Sequence, residues 1–236
     1  MCCKTNCERR VERRYSVMQM EREREAVVAY GRKMLSSSLT TGTGGNISVI
    51  DRGQQLIAIS PSGMDYETIR PEDVVVVSTE GRTVEGDRKP STEIRLHLAH
   101  YRLRAEINAV IHAHPPFATT VACLGWEIPP IHYLVSFSGR KVPIARYATY
   151  GTEELARLTA EAIGPHNAVL MSNHGILTVG QDLASAFATA EIIELMARVF
   201  LQAKAVGEPQ CLSDTQMDAL TAARRASALK MSFGTA

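Results

Sequence analysis

The chain reads as an α/β protein, a single-domain sandwich with a central, mainly antiparallel β-sheet flanked by helices. Three observations point there. Helical and strand-like patterns intermingle along all 236 residues instead of segregating. Several apolar runs are paired across short turns, as in hairpins. No repeat, low-complexity run or composition shift marks an internal boundary. A chain of this length suits one domain and buries roughly 70 to 75% of its unfolded surface, so it needs no disulfide staple.

The elements follow in order. EREREAVVAYGRKML (21–35) has helical periodicity, and SSSLTTGTGGNISVI (36–50) exits it through a Gly-rich turn into an alternating strand from Ile47 to Ile50. QQLIAIS is its hairpin partner, SPSGMDYETIRPED a long polar loop, and VVVVSTEGRTVEG a strand pair turning at Glu80-Gly81. RKPSTEIRLHLAHYRLR begins a helix at Ser91 or Thr92. There follow strand INAVIHAH, helix PFATTVACLG, a connection through PPIHYLVSF, strand KVPIARY, helix TEELARLTAEAI, strand NAVLMSNHGILTVG and a long helix from about Asp182 to Ala205. Residues 1–20 are expected to be a disordered arm and 21–236 the domain.

Composition narrows the function. Formal net charge is +1, from 26 Lys+Arg against 25 Asp+Glu, so no nucleic-acid surface is indicated, while a local anion site remains open. Of five cysteines, Cys2, Cys3 and Cys7 crowd the N-terminus, and Cys123 and Cys211 stand apart. An odd number so spread argues against a disulfide framework and for a reducing cytoplasm. The N-terminal residues lack the apolar core of a signal peptide, and no stretch is long and apolar enough to span a bilayer.

The stretch INAVIHAHPPFATT sets His112 and His114 one residue apart at the end of an apolar run that stops at Pro115. In a strand, residues i and i+2 share a face, so the two rings project side by side. Two neutral imidazoles make half of a zinc site; hydrogen-bonded histidines at a strand end are the alternative. A third candidate is His174 in VLMSNHGILTV, followed by a glycine that permits a close backbone turn. His97, His100, His132 and His166 compete, the first two on a helix.

Phosphate groups favour exposed backbone N–H groups and helix N-termini. Three segments offer them: Gly45-Asn46 in TGTGGN, Ser62-Gly63 in SPSGMD, and Ser91-Thr92 at a helix start. TGTGGN is not a P-loop, because no Gly-Lys-Ser/Thr follows, and it fails G-x-G-x-x-G because Ile47 holds the last glycine's place, so nucleotide binding has little support. Beside Ser91-Thr92 stands Glu93, in the first helical turn, where it could stabilise the helix or serve as ligand or base.

Taken in order, GTGGN, SPSGMDYE, KPSTE, HAH, PPIHY, YATYGTEEL and NHG resemble the class II aldolase and adducin-head family, and within it the ketose-1-phosphate aldolases, L-fuculose-1-phosphate aldolase among them. The resemblance covers roughly residues 22 to 215. It implies that His112, His114 and His174 bind one zinc ion per subunit, with Glu93 both a fourth ligand and the acid/base. Gly45, Asn46, Ser62, Gly63, Ser91 and Thr92 would bind the substrate phosphate. Tyr133, in PPIHY, would reach a neighbouring subunit's site in a fourfold homotetramer and handle the proton on the leaving aldehyde's oxygen.

The implied reaction is zinc-dependent retro-aldol cleavage of a ketose 1-phosphate, L-fuculose 1-phosphate or a close 5-deoxypentulose 1-phosphate, to dihydroxyacetone phosphate and a short aldehyde. Breaking C3–C4 leaves an enediolate whose charge a Lewis acid stabilises. A Schiff-base route would need a desolvated lysine, and the nearest, Lys89, sits in a polar loop. The sister activity, L-ribulose-5-phosphate 4-epimerisation, characteristically has Asp where Glu93 stands, and a non-catalytic adducin-like scaffold would lack the ligands. One departure is Phe233 before Gly234, where related aldolases tend to have a tyrosine in the C-terminal tail.

Overall fold

The computed structural model describes residues 18–233, by backbone alone from residue 224. Its centre is an eight-stranded sheet in the order β4-β3-β2-β1-β5-β8-β7-β6. The strands are β1 (Asn46–Asp51), β2 (Leu56–Ile59), β3 (Val75–Ser78), β4 (Thr83–Glu85), β5 (Ala109–Ala113), β6 (Ile144–Ala145), β7 (Ala168–Met171) and β8 (Gly175–Gly180). Every neighbouring pair is antiparallel except the short edge pair β6 and β7. The expected mainly antiparallel sheet flanked by helices is therefore the architecture found.

Helices cover both faces. On one side lie α1 (Glu21–Ser36), α3 (Pro116–Cys123) and α5 (Leu183–Val206), packing Val27, Met34, Val121 and Ile193 against Ile47 and Ile111 of the sheet. On the other lie α2 (Ile94–Leu103) and α4 (Glu153–Ile163), packing Leu96, Tyr101 and Leu155 against Ile57, Val77 and Val110. A sheet covered on both faces has no solvent side for polar residues. Asn46 and Ser48, on the α2 face of β1, are buried and must find partners inside the protein.

Several boundaries differ from the sequence pattern. NAVLMSNHGILTVG is not one strand but the hairpin of β7 and β8, because Asn173 takes a left-handed conformation (φ 54°), which Asn tolerates better than most residues. Helix α2 starts at Ile94, with Glu93 as its cap residue instead of a member of the first turn. Strand KVPIARY shrinks to the two residues of β6, and PPIHYLVSF contains a 3₁₀ turn, Tyr133–Phe137. A final helix, α6 (Asp214–Phe233), went unrecognised in the sequence; it buries Met217. Of the expected N-terminal arm, residues 1–17 with Cys2, Cys3 and Cys7 lie outside the described residues, whereas Met20 is buried at the start of α1.

Gly31 shows how tightly α1 meets the loop after β2. A Cβ there would lie 2.2 Å from Cδ1 of Tyr66, a ring buried in the core. Glycine inside a helix is ordinarily worse than alanine by about 0.5–1 kcal/mol, yet here the methyl has nowhere to go. Gly31→Ala should lower stability by about 1–3 kcal/mol, read as a reduced urea midpoint at unchanged slope. A variant at least as stable as the parent would show that the Tyr66 ring is free to swing away.

Candidate active site

Strand β5 runs between β1 and β8, setting His112 opposite Asn46 on one side and Leu177 on the other. His114 lies one residue past the strand end, its backbone N–H donating to Leu39 O at 3.2 Å. His174 closes the three-residue turn between β7 and β8. That turn comes so near the end of β5 that a Cβ on Gly175 would sit 2.4 Å from Ala113 O, so only glycine fits. The close approach brings ligand atoms of His112, His114 and His174 within 4.8 Å of one another. The four competing histidines stay outside this group.

Glu93 faces the cluster from the start of α2. Its Oε2 lies 3.2 Å from His112 Nε2 and its Oε1 3.5 Å from His174 Nε2. Asn46 Nδ2 donates to Oε2 at 2.8 Å. His112 Nδ1 donates to Ile176 O at 2.9 Å, which leaves Nε2 as the nitrogen turned to the site. Glu93 Oε1 and His112 Nε2 are buried without a hydrogen-bond partner. Two orphaned atoms of this kind, beside three imidazoles, suit a divalent ion.

The electrostatics sort the four groups. Burial pushes the Glu93 carboxyl up, but the adjacent His112 and the Asn46 amide more than offset it and hold the carboxyl well below the usual range. Burial likewise pushes His112 down, and the Glu93 charge wins, raising it. His114 is lowered to about 3 and His174 to about 4, by burial and then by His112. Both are neutral near pH 7, with lone pairs free for a metal. Three nitrogens and a carboxylate form the donor set of zinc or a similar ion.

The three segments expected to bind an anion are stitched together by residues that carried no signal of their own. Ser60 Oγ accepts from Ile47 N at 3.1 Å and from Tyr66 OH at 3.3 Å, while Ser60 O accepts from Ser91 N at 3.1 Å. Tyr66 OH also reaches Gly45 O at 3.2 Å. Ser62 N donates to Lys89 O at 2.9 Å, next to a bridge between Pro61 and Pro90. Ser62, Gly63 and Thr92 are exposed, and Ser91 Oγ accepts from Glu93 N at 3.2 Å. Gly45-Asn46, Ser62-Gly63 and Ser91-Thr92 thus belong to one connected structure beside Glu93.

Two elements behave differently. Tyr133 opens the 3₁₀ turn, 55% exposed, its ring centroid 4.5 Å from that of His132, with no contact to the histidine cluster among the described residues. The side chain of Phe233 lies outside the described residues. Glu194, on α5, was missed altogether: its carboxylate accepts from Phe117 N at 2.9 Å and Ala118 N at 2.7 Å. It thereby caps α3, whose own cap residue Pro115 has no side chain to offer, and anchors the turn directly after His114.

Residues 25–201 match the family model described as the class II aldolase and adducin N-terminal domain. The chain is 48% identical over 203 residues to 5-deoxy-D-ribulose 1-phosphate aldolase of Bacillus thuringiensis serovar kurstaki, covering 86% of this chain and 95% of the relative. It is 36% identical over 187 residues to L-fuculose phosphate aldolase of Escherichia coli K12, covering 78% of this chain and 86% of that one. A solved structure of an L-fuculose 1-phosphate aldolase superposes with a TM-score of 0.85 at 44% identity, over 86% of this chain and 96% of the other.

The raised His112 and the depressed His114 and His174 determine the proton balance of metal uptake. Of the three, His112 alone is shifted toward its protonated form, so zinc binding should displace a proton from it, and affinity should weaken as pH falls and that proton is held more firmly. Calorimetry in buffers of different ionisation enthalpy measures the release. Glu93→Gln removes the charge that retains the proton and should reduce the number released. A larger release from that variant would contradict the pairing.

Proposed function

The chain belongs to the class II aldolase and adducin N-terminal family and is a class II aldolase, a carbon–carbon lyase; from that premise we propose that it cleaves a ketose 1-phosphate between C3 and C4 to dihydroxyacetone phosphate and a short aldehyde. The observation that carries this reading is the buried Glu93 carboxylate set against three imidazoles, beside a connected loop structure rich in backbone N–H groups and hydroxyls.

In this reading His112, His114 and His174 hold one zinc ion per subunit, with Glu93 as a further ligand. The ion, when bound, supplies Lewis-acid stabilisation of the negative charge left as C3–C4 breaks. Gly45, Asn46, Ser62, Gly63, Ser91 and Thr92 hold the phosphate. The Asn46 amide is engaged with Glu93 and His97, so its share falls to whatever donor capacity remains and to the segment's backbone. Cleavage moves one proton in net terms, from the C4 hydroxyl to C3. Glu93 delivers the proton to C3, and Tyr133 manages the one leaving the C4 oxygen.

Tyr133 acts from a neighbouring subunit, an arrangement supported by its exposure and by other exposed aromatics, Trp126, Tyr147 and Tyr150, and consistent with a homotetramer whose sites lie between subunits. For the aldehyde part, the 48% identity to a 5-deoxy-D-ribulose 1-phosphate aldolase favours a 5-deoxypentulose 1-phosphate, giving acetaldehyde, over L-fuculose 1-phosphate, giving lactaldehyde. The site of action is the cytoplasm, in keeping with free, exposed Cys123 and Cys211. Among the described residues no helix is long and apolar enough to cross a membrane.

Release of dihydroxyacetone phosphate from 5-deoxyribulose, 5-methylthioribulose and L-fuculose 1-phosphates, with L-ribulose 5-phosphate as an epimerase control, tests the reading. The first sugar should give the highest kcat/KM, and epimerisation of the control without triose release would sink it. Glu93→Gln should cut cleavage about 10²- to 10⁴-fold and slow exchange of the dihydroxyacetone phosphate C3 proton with solvent. Tyr133→Phe should depress cleavage strongly while leaving that exchange nearly intact, because only bond breaking involves the C4 oxygen. Equal losses in both assays would take Tyr133 off that oxygen.

A further inference from the structure

Behind Glu93 runs a chain of buried hydrogen bonds that the cleavage chemistry above does not use. Asn46 Nδ2 donates to Glu93 Oε2 at 2.8 Å, and Asn46 Oδ1 lies 2.5 Å from His97 Nε2. His97 Nδ1 is 2.6 Å from Ser48 Oγ, which is 2.6 Å from Tyr101 OH. The period of two on β1 puts Asn46 and Ser48 on one face, and the i, i+4 spacing on α2 puts His97 and Tyr101 above them. All four are buried, with His97 and Ser48 fully so.

Donor and acceptor roles follow from one end. The carboxylate accepts only, so Asn46 must present its NH₂ to Glu93 and its oxygen to His97. His97 Nε2 therefore carries the hydrogen and Nδ1 is bare. Ser48 donates to that bare nitrogen, and Tyr101 donates to Ser48. Four neutral groups point every hydrogen toward Glu93, each polarising the next. Burial lowers His97 to about 3, followed in effect by the neighbouring His112, so the ring stays neutral throughout the working range.

We propose that His97 and Ser48 are positioning residues for the reaction: through the Asn46 amide they fix Glu93 Oε2, leaving the unpartnered Oε1 as the oxygen that serves the ion or carries the proton. The proposal rests on the reading of Glu93 as ligand and acid/base. A histidine four residues into a helix would be read as a packed core residue, and its ring does pack. The relay adds a second duty, to stop the Asn46 amide from flipping and the carboxylate from rotating when substrate enters.

Long-range ¹H–¹⁵N NMR of the full-length, zinc-loaded enzyme tests the relay without any substitution. His97 should appear as the Nε2–H tautomer between pH 6 and 8, and an Nδ1–H tautomer overturns the proposal. Ser48→Ala, a small change in a packed site, should lower kcat with KM nearly unchanged. His97→Phe should lower kcat and zinc affinity about 10- to 100-fold, and His97→Gln, whose amide can donate from the place of Nε2, should recover most of the loss. Glu93→Gln is measured alongside. If it retains parental C3 proton exchange, the acid/base reading falls. If it is inactive while Ser48→Ala and His97→Phe keep parental kcat and zinc affinity, the relay alone falls.

Discussion

A carboxylate buried against two imidazoles is the constraint from which the rest of the site follows. Glu93 is 6% exposed and faces His112 and His174, and among the described residues no lysine or arginine pairs with it. An ionised carboxylate in such a place survives only if cations or strong donors surround it. The protein supplies the His112 imidazole and the Asn46 amide, both toward Oε2, and leaves Oε1 without a hydrogen-bond partner. A divalent ion, as proposed, would complete what the side chains leave open. The fold serves this arrangement: β5 carries His112 through the middle of the sheet, the β7–β8 hairpin delivers His174, and Glu194 holds the turn after His114.

A sheet covered on both faces makes the site rigid. Asn46 sits opposite His112 in the ladder, so the partner of the carboxylate and one expected metal ligand share a backbone register that cannot slip by one residue without turning both side chains away. Ser60 ties β1, the Tyr66 loop and the segment at Ser91 together with its hydroxyl and carbonyl, and Tyr66 wedges against Gly31 of α1. Preorganisation of this kind is what a reaction that develops charge requires, because the groups need not move when the charge appears.

Much of this was legible in the sequence. The His-x-His spacing, the glycine after His174 and the motif order pointed to the three imidazoles and Glu93, and the hairpins pointed to the antiparallel sheet. Boundaries were less readable. Asn173 in a left-handed conformation turned one apparent strand into two, and the first helical turn assigned to Glu93 proved to be its cap position. His97 looked like a core histidine, because its partners Asn46 and Ser48 lie about fifty residues away in sequence and only the β1–α2 packing joins them. Glu194 gave no signal, since capping a helix some 77 residues away in sequence leaves no local pattern.

The central claim is that three imidazoles and one carboxylate hold the catalytic ion. X-ray absorption at the zinc edge of the purified, zinc-loaded enzyme reads those ligands directly. The account predicts a shell of light atoms whose multiple-scattering pattern requires three imidazoles, with oxygen completing it and no sulfur. A zinc–sulfur distance, or a pattern fitted by one or two imidazoles, would contradict it.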